Sequence, residues 1–412
     1  MRLLEGSLVL TLSNLTVRIG GYVYRILMGR MLTPYEFGLL NLALPLQYMV
    51  VILTSSGIAP SIAKFVSGYE AKKDYNKRDS VISSSLFFYT LLGISFGAAF
   101  YILADPIGIY IFHDPNVVKP LKISSMALPF GVLIAVYTGV FQGFKKFSHM
   151  SATLVAEQAL RIIFALVLVY YGLSAVNAIL GSTLGFIATA LLAYLLFRKV
   201  HQKFSSFSFE NFKEVFYFSV PVSATALSAF VLAYIDVILL GFYLTPKEVG
   251  IYSAASPTSR LVLAFSTAMY ATLLPSISEL KALRNYREIK KQIKYAYKLS
   301  LLVLIPATLL SIYFSEFIIT ALFQEDYTQA VRAFEILVVG TAFLGIFTLN
   351  SGIFQGLGKP KIPMRILLLA AILDVILNLA LIPLYGIDGA ALASTLSFIF
   401  AGVLSTLVVI KL

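Results

Sequence analysis

The sequence predicts an all-α, polytopic membrane protein with about twelve transmembrane helices in two parallel six-helix lobes. Three observations support this prediction: the apolar composition, the spacing of the apolar runs and an internal repeat. Apolar side chains make up 59% of the 412 residues and charged side chains only 13%. A soluble domain of this length needs no core of that size, so the composition fits a chain whose solvent is lipid.

Apolar runs long enough to cross a membrane recur along the whole chain. An α-helix rises about 1.5 Å per residue and the hydrocarbon layer is about 30 Å thick, so about 20 residues form one span. The first run contains Arg18 and Arg25 and lacks a small-residue cleavage site, which favours a retained span over a signal peptide. The runs begin near Gly6, Phe37, Val81, Leu121, Ala152, Ala175, Val215, Val249, Tyr297, Val331, Met364 and Asp388.

Lys and Arg are distributed unequally between alternate loops. One set of loops contains the basic segments 72–78, 145–146, 198–213, 281–298 and 359–365, whereas the other set has few cations. Positive residues accumulate in the loops that stay in the cytoplasm. We therefore predict a multi-pass protein of the cytoplasmic membrane with both termini in the cytoplasm. This asymmetry also explains the net charge of +12 without nucleic-acid binding.

The two halves of the chain repeat one sequence pattern. Residues 22–45, YVYRILMGRMLTPYEFGLLNLALP, match residues 234–257, YIDVILLGFYLTPKEVGIYSAASP, and the triplet Phe-Gln-Gly occurs at both 141–143 and 354–356. Each half has an even number of predicted spans, so both halves enter the membrane from the same side. The repeat is therefore parallel, with a pseudo-twofold axis along the membrane normal, as in transporters that rock two lobes around a central site.

We place the N-terminal lobe at residues 1–203 and the C-terminal lobe at residues 204–412. Within the second lobe, residues 281–298 combine apolar side chains at helical spacing with many cations. That pattern predicts an amphipathic linker on the cytoplasmic membrane surface.

The repeated motif Thr-Pro-x-Glu has two interpretations. Thr33 with Glu36, and Thr245 with Glu248, have the spacing of a capping box at the start of a helix, with Pro at the first helical position. The alternative is a substrate-binding role for the two glutamates. We favour the capping box.

Three passages resemble one transporter family: LTPYEFGLLNLA at 32–43, FQGFKKFSHMSATLVAEQALRI at 141–162 and IDVILLGFYLTPKEVGIYSAA at 235–255. They are similar to the polysaccharide-transporter branch of the multidrug/oligosaccharidyl-lipid/polysaccharide exporter superfamily, which includes the O-antigen-type flippases. The resemblance implies a fold like that of the multidrug and toxin extrusion (MATE) transporters. It also implies alternating access and a polyprenyl-(pyro)phosphate-linked glycan as substrate.

Arginines within predicted spans are candidate substrate ligands. Arg18 and Arg25 are seven residues apart on the first span, so they lie on nearly the same face of the helix, about 10 Å apart. Each guanidinium group can bind phosphate oxygens through two N–H donors at once. The resemblance implies that Arg25, with Arg260 on the eighth span, contacts the lipid pyrophosphate. The alternative is that each arginine is neutralised by a neighbouring acid, or that its side chain extends to the membrane–water interface.

Arg161 on the fifth span has Glu157 four residues before it, the favourable order for an ion pair within a helix. A structural ion pair and a ligand role are both open for this arginine.

Two acids lie within the second half of the predicted spans. Asp236 is on the seventh span, and Asp374 is on the eleventh with Asn378 one turn later. A buried carboxylate either pairs with an arginine or binds a proton or sodium ion. We favour pairing for Asp236 and ion coupling for Asp374 with Asn378. We expect no cofactor other than a coupling H⁺ or Na⁺.

Two other function classes remain as alternatives. A cation-coupled multidrug exporter shares the fold but needs an acidic cavity, and a membrane-embedded glycosyltransferase or ligase needs acids for metal or base chemistry and a larger outer loop. The chain has no nucleotide-binding, nucleophile-elbow or zinc motif, so we assign no catalytic or metal-binding residue. Expected partners are the lipid-linked glycan and membrane lipids, with a glycan polymerase or glycosyltransferase as a further candidate.

Overall fold

The computed structural model describes residues 2–55, 57–201 and 205–411, and these segments are helical throughout apart from short turns. Their fifteen α-helices are α1 Arg2–Met31, α2 Pro34–Ser55, α3 Ile58–Ala71, α4 Tyr75–Pro106, α5 Val118–Ser125, α6 Leu128–Gly143, α7 Phe147–Gly172, α8 Ala175–Val200, α9 Phe209–Tyr243, α10 Pro246–Ser259, α11 Leu263–Ala282, α12 Tyr286–Tyr313, α13 Ser315–Phe323, α14 Ala330–Gly356 and α15 Lys361–Ile410. The all-α prediction is confirmed.

Nine helical stretches among the described residues are long and apolar enough to cross a membrane. The longest, α15, contains two helices because Gly386 has φ 57° and ψ −131°. A Cβ atom on Gly389 would lie 2.2 Å from the carbonyl oxygen of Leu381, whereas a straight helix would separate these residues by about 12 Å. Counting α15 twice and adding α1 and α9, which have 30 and 35 residues, gives the twelve spans that the sequence predicts.

The chain divides into an N-terminal unit, Met1–Phe230, and a C-terminal unit, Val231–Leu412. This division falls inside α9 rather than at residue 203, where the sequence placed the lobe boundary. The first half of α9 packs in the N-terminal unit, because Phe212 and Val215 share an apolar core with Phe141. The hydroxyl of Tyr89 in α4 also bonds to that of Ser219 at 3.3 Å.

The same turns recur at equivalent places in the two units. Among the described residues, left-handed backbone conformations occur at four positions of each unit, and the positions match in repeat order. These pairs are Lys73 with Arg284, His113 with Gln324, Lys145 with Gly358 and Leu173 with Gly386. In both units a side chain then caps the next helix: Asp74 accepts from Lys77 N and Asn285 from Glu288 N, each at 3.2 Å. The backbone therefore follows the repeat in the sequence.

The repeated Thr-Pro-x-Glu motifs both begin helices, but they differ in one contact. At α10 the capping box is complete, and Glu248 accepts from Thr245 N at 2.9 Å. At α2 the backbone N–H of Glu36 donates to Thr33 Oγ1 at 3.3 Å, while the Glu36 carboxylate accepts from Ala175 N at 2.6 Å. Glu36 thus caps α8 and joins it to α2.

The predicted amphipathic linker at 281–298 is not a separate surface segment. Helix α11 ends at Ala282, a turn follows, and α12 runs from Tyr286 through the apolar span to Tyr313. Ile289 and Ala296 are buried in a core that also contains Leu273. From Ile289 onward the apolar face therefore packs on the unit's own helices, whereas Leu283, Tyr286 and the basic residues are exposed.

Candidate functional site: buried charged clusters in each unit

The two arginines of α1 differ in exposure. Arg18 is exposed in the structure, whereas Arg25 is half-buried. Between them α1 approaches α7 closely, because a Cβ atom on Gly20 would lie 2.9 Å from Cγ of Gln158. The glycine therefore permits helix packing at this point, and it brings α1 close to the helix that contains Arg161.

Arg161 is buried between three helices of the N-terminal unit, at 8% exposure. Its Nε donates to Ser182 Oγ of α8 at 3.0 Å, and its Nη2 donates to the hydroxyl of Tyr48 in α2. The guanidinium also lies over the rings of Tyr48 and Phe186, with its carbon 5.4 Å and 5.2 Å from the centroids. Arg161 thus joins α7 to α2 and α8.

The predicted pair of Arg161 with Glu157 is present but long. Arg161 Nη1 lies 4.0 Å from Glu157 Oε1, so the hydroxyl contacts are closer than the carboxylate. Tyr24 of α1 is buried beside this group and interacts with Arg161 electrostatically. The Tyr24 hydroxyl has no hydrogen-bond partner among the described residues. We call Tyr24, Tyr48, Glu157, Arg161 and Ser182 the N-terminal cluster.

Asp236 is buried in α9, with 2% exposure. Its Oδ2 accepts from the hydroxyl of Tyr252 in α10 at 2.6 Å, and its Oδ1 accepts from the N–H of Val237 at 2.8 Å. Arg260 interacts electrostatically with this carboxylate. Asp236 therefore joins α9 to α10 through a tyrosine hydroxyl and has a cation nearby.

Arg260 begins a single 3₁₀ turn, Arg260–Val262, that separates α10 from α11. Its Nη2 donates to the carbonyl oxygen of Ala233 at 3.0 Å, and its charge acts on Asp236 and Asp374. The side chain is half-buried. Because a guanidinium has five N–H groups, Arg260 has donors left for a ligand.

Asp374 and Asn378 are adjacent on α15, with 1% and 0% exposure. Asn378 Nδ2 donates to the backbone carbonyl of Asp374 at 2.8 Å. Oδ1 of Asp374 and Oδ1 of Asn378 are buried and have no hydrogen-bond partner in the described part of the chain. The hydroxyl groups of Ser394 and Ser397 lie beside the carboxylate. This is a set of oxygen atoms of the kind that binds a proton or a hard cation.

The buried charges of the C-terminal unit do not balance. We call Asp236, Tyr252, Arg260, Asp374, Asn378 and Ser394 the C-terminal cluster. Its two carboxylates and one guanidinium leave one negative charge in excess. Burial of an uncompensated charge is costly, so such a group is neutralised by a proton or a counter-ion. The cluster therefore has the charge and the unpartnered oxygens for one cation.

A separate cavity of about 630 Å³ lies in the C-terminal unit near the end of α12. Its lining includes Tyr313, Glu316, Phe317 and Glu325. Its lining contains no member of the C-terminal cluster.

Sequence reasoning missed the tyrosines and serines of both clusters. Tyr24, Tyr48 and Tyr252 carry no charge, so the search for ionisable residues in apolar runs did not select them. A signal was nevertheless present, because Tyr24 aligns with Asp236 and Ser182 with Ser394 in the internal repeat. Extending the repeat to single positions would have found Tyr24, Tyr48, Ser182 and Ser394, but not Tyr252, which aligns with Leu40.

Comparisons with known proteins place these features in a family. A family model described as polysaccharide biosynthesis protein matches residues 3–281, and a MatE model matches residues 221–380. The uncharacterized membrane protein MJ1375 of Methanocaldococcus jannaschii is 26% identical over 100% of this chain and 99% of its own length.

The relatives with functional names include two flippases. The probable low-salt glycan biosynthesis flippase Agl15 of Haloferax volcanii is 29% identical over 56% of this chain and 48% of its own. The lipid II flippase MurJ of Bacillus subtilis is 25% identical over 100% of this chain and 82% of its own length.

Two solved structures have the same fold. An inward-facing MATE transporter of the MOP superfamily superposes with a TM-score of 0.80 at 16% identity, covering 93% of this chain and 92% of that one. An inward-closed lipid II flippase MurJ gives a TM-score of 0.79 at 18% identity, with 98% and 87% covered. The predicted MATE-like fold is confirmed. Because the polysaccharide biosynthesis model matches more than half of its residues, this multi-pass membrane protein belongs to the polysaccharide biosynthesis protein family of transporters.

Proposed function

We propose that this protein is a flippase that moves a lipid-linked glycan precursor across the cytoplasmic membrane by alternating access. The family membership carries the proposal, together with the relatives named as glycan and lipid II flippases. The proposed direction is from the cytoplasmic to the outer leaflet, with both termini in the cytoplasm, and the Lys and Arg distribution supports this orientation. A glycan polymerase or glycosyltransferase remains a candidate partner.

The proposed substrate ligands are arginines. A polyprenyl-(pyro)phosphate head group carries negative charge, and guanidinium groups bind phosphate oxygens through paired N–H donors. Arg25 is half-buried on α1, and Arg260 has donors beyond its bond to Ala233. Arg18 is exposed and is the third candidate. Arg161 is a weaker candidate, because its guanidinium is already engaged by Ser182, Tyr48 and Glu157 within the N-terminal cluster.

We further propose that the C-terminal cluster couples transport to a cation gradient. Asp374 and Asn378 supply buried oxygens that have no hydrogen-bond partner among the described residues, and the cluster has one negative charge in excess. One proton or one Na⁺ at this place neutralises the cluster and stabilises the conformation in which it is buried. Asp236 then positions Tyr252 and shares the Arg260 charge.

Reconstituted vesicles test the proposed function. A fluorescent polyprenyl-pyrophosphate oligosaccharide is placed in the vesicle membrane, and the labelled fraction accessible to an impermeant quencher is followed with time. We expect protein-dependent movement between leaflets, and we expect it to fall in Arg25→Ala and to recover in part in Arg25→Lys. Absence of movement, combined with export of a cationic dye driven by a proton or sodium gradient, would instead identify a multidrug exporter.

A further inference from the structure

The two buried clusters occupy equivalent positions of the internal repeat. Residue 22 aligns with residue 234, an offset of 212, and residue 141 aligns with residue 354, an offset of 213. The shared Ser-Thr-Leu at 182–184 and 394–396 again gives an offset of 212. These offsets pair five positions of the N-terminal unit with positions of the C-terminal unit. The pairs are Tyr24 with Asp236, Tyr48 with Arg260, Arg161 with Asp374, Ser182 with Ser394, and Gly185 with Ser397.

The charge is reversed at one of these pairs of equivalent positions. The N-terminal unit has a guanidinium, Arg161, where the C-terminal unit has the carboxylate of Asp374. It has the neutral Tyr48 where the other unit has Arg260. The residue types around the charges are otherwise related, since a serine hydroxyl lies beside Arg161 and beside Asp374. One structural position therefore has a cation in the N-terminal unit and an anion in the C-terminal unit.

The N-terminal version is shaped around the arginine. A Cβ atom on Gly185 would lie 2.7 Å from both Cα and Cγ of Arg161, so any larger residue would collide with the arginine backbone and stem. The equivalent residue of the other unit is Ser397, whose hydroxyl lies beside Asp374. Gly185 thus leaves room for the backbone and side chain of Arg161, and Ser397 places a hydroxyl group beside the carboxylate of Asp374.

The two versions also differ in how many of their polar atoms have hydrogen-bond or ion-pair partners. The Arg161 guanidinium donates to Ser182 and to Tyr48 and faces Glu157 at 4.0 Å. Its positive charge has a carboxylate partner, so the five residues of this cluster have no net charge, although the charge of Arg25 also acts on Tyr24. The C-terminal cluster instead retains one excess negative charge. One oxygen of Asp374 and one of Asn378 have no hydrogen bond within the part of the chain that the structure describes.

We propose that Arg161 is a positioning residue that acts as a built-in cation of the N-terminal unit. Its guanidinium holds α2, α7 and α8 together at the place where the C-terminal unit depends on an exchangeable cation. The N-terminal unit consequently has a permanently neutralised site, and only the C-terminal unit responds to Na⁺ or H⁺. This inference rests in part on the proposed coupling role of Asp374.

Thermal unfolding of the purified full-length protein tests the proposal. The midpoint, Tm, is measured with Na⁺ or choline as the cation at several pH values, for the wild type, Arg161→Ala, Arg161→Lys and Asp374→Asn. We expect the cation-dependent shift of Tm to disappear in Asp374→Asn and to persist in both Arg161 variants. We expect Arg161→Ala to lower Tm under all these conditions and Arg161→Lys, which keeps the charge, to recover part of the loss.

Chemical rescue separates this inference from the coupling proposal. Guanidinium chloride at low millimolar concentration should raise the Tm of Arg161→Ala and should leave the wild type and Asp374→Asn unchanged. A wild type without any cation response would contradict the coupling role of Asp374, while guanidinium rescue would still support the built-in cation. The inference is overturned if guanidinium gives no rescue, or if Asp374→Asn retains a cation response that the Arg161 variants lose. If Arg161→Ala cannot be purified, a Tm of Arg161→Lys no higher than that of Arg161→Met overturns it as well.

Discussion

Asp374→Asn is expected to uncouple transport from the cation gradient while the protein stays folded. The amide has nearly the shape of the carboxylate but no charge, so the excess negative charge of the C-terminal cluster disappears and Asp236 remains beside Arg260. A cation at the C-terminal cluster then has no excess negative charge to neutralise. Coupling free energies between sites typically correspond to factors of about 5 to 150. We expect the rate of gradient-driven flipping to decrease by a factor in that range relative to the wild type.

The matched control for this variant is Asp388→Asn. Asp388 is an acid of the same unit, and its carboxylate lies 3.2 Å from Arg332 in a partly exposed ion pair outside the cluster. Exposed pairs contribute little, about 0 to 1 kcal/mol, so this variant should retain gradient dependence. Equal gradient dependence in Asp374→Asn and the wild type would rule out Asp374 as the coupling group.

Arg260→Ala is expected to cause a large loss of stability that a second substitution repairs. Without the guanidinium, Asp236 and Asp374 are two buried carboxylates that lose the one cation described beside them. Removing one partner of a buried charge pair costs about 3 to 5 kcal/mol, and we expect a value near the lower limit because Arg260 is only half-buried. The double variant Arg260→Ala with Asp236→Asn should regain most of this loss, since one negative charge is again left.

A double-mutant cycle on unfolding free energy, measured under one set of detergent and salt conditions, gives the coupling between Arg260 and Asp236. Strictly additive effects would show that Arg260 does not balance this carboxylate. A different result would also be informative: Arg260→Ala with wild-type stability but without flipping would assign Arg260 to the substrate alone. The cycle therefore separates the two roles that the sequence left open.

The arrangement of the spans was predictable because it depends on local composition. Apolar run length determines each helix, and the repeat at 22–45 and 234–257 relates the two halves. The lobe boundary was less accessible, because the first half of α9 packs through Phe212 and Val215 on helices that are far away in sequence.

Amphipathic periodicity did not reveal that part of the segment 281–298 packs in the core of its own unit. Apolar side chains such as Ile289 recur at helical spacing whether they face a lipid surface or the core of the protein. In the structure Ile289 packs with Leu273 and Ile277 of α11. A hydrophobic face shows that a partner exists, and only the tertiary structure identifies that partner.

Charged residues of the candidate site were found from sequence, but most of their partners were not. Arg161 and Glu157 are four residues apart, so their contact was predictable from helix geometry. The hydroxyl groups of Tyr48 and Ser182 come from α2 and α8, and nothing in the local sequence links them to Arg161. Such contacts between distant segments depend on how the helices pack.

The central claim is that the protein translocates a lipid whose glycan is attached through phosphate. Its most direct test compares two probes in wild-type proteoliposomes, with the same glycan and the same polyprenyl chain, joined in one by a pyrophosphate and in the other by a neutral linker. We predict protein-dependent movement of the pyrophosphate probe and little movement of the neutral one. Equal movement of both probes, or movement of neither, would contradict a flippase that recognises the phosphate head group.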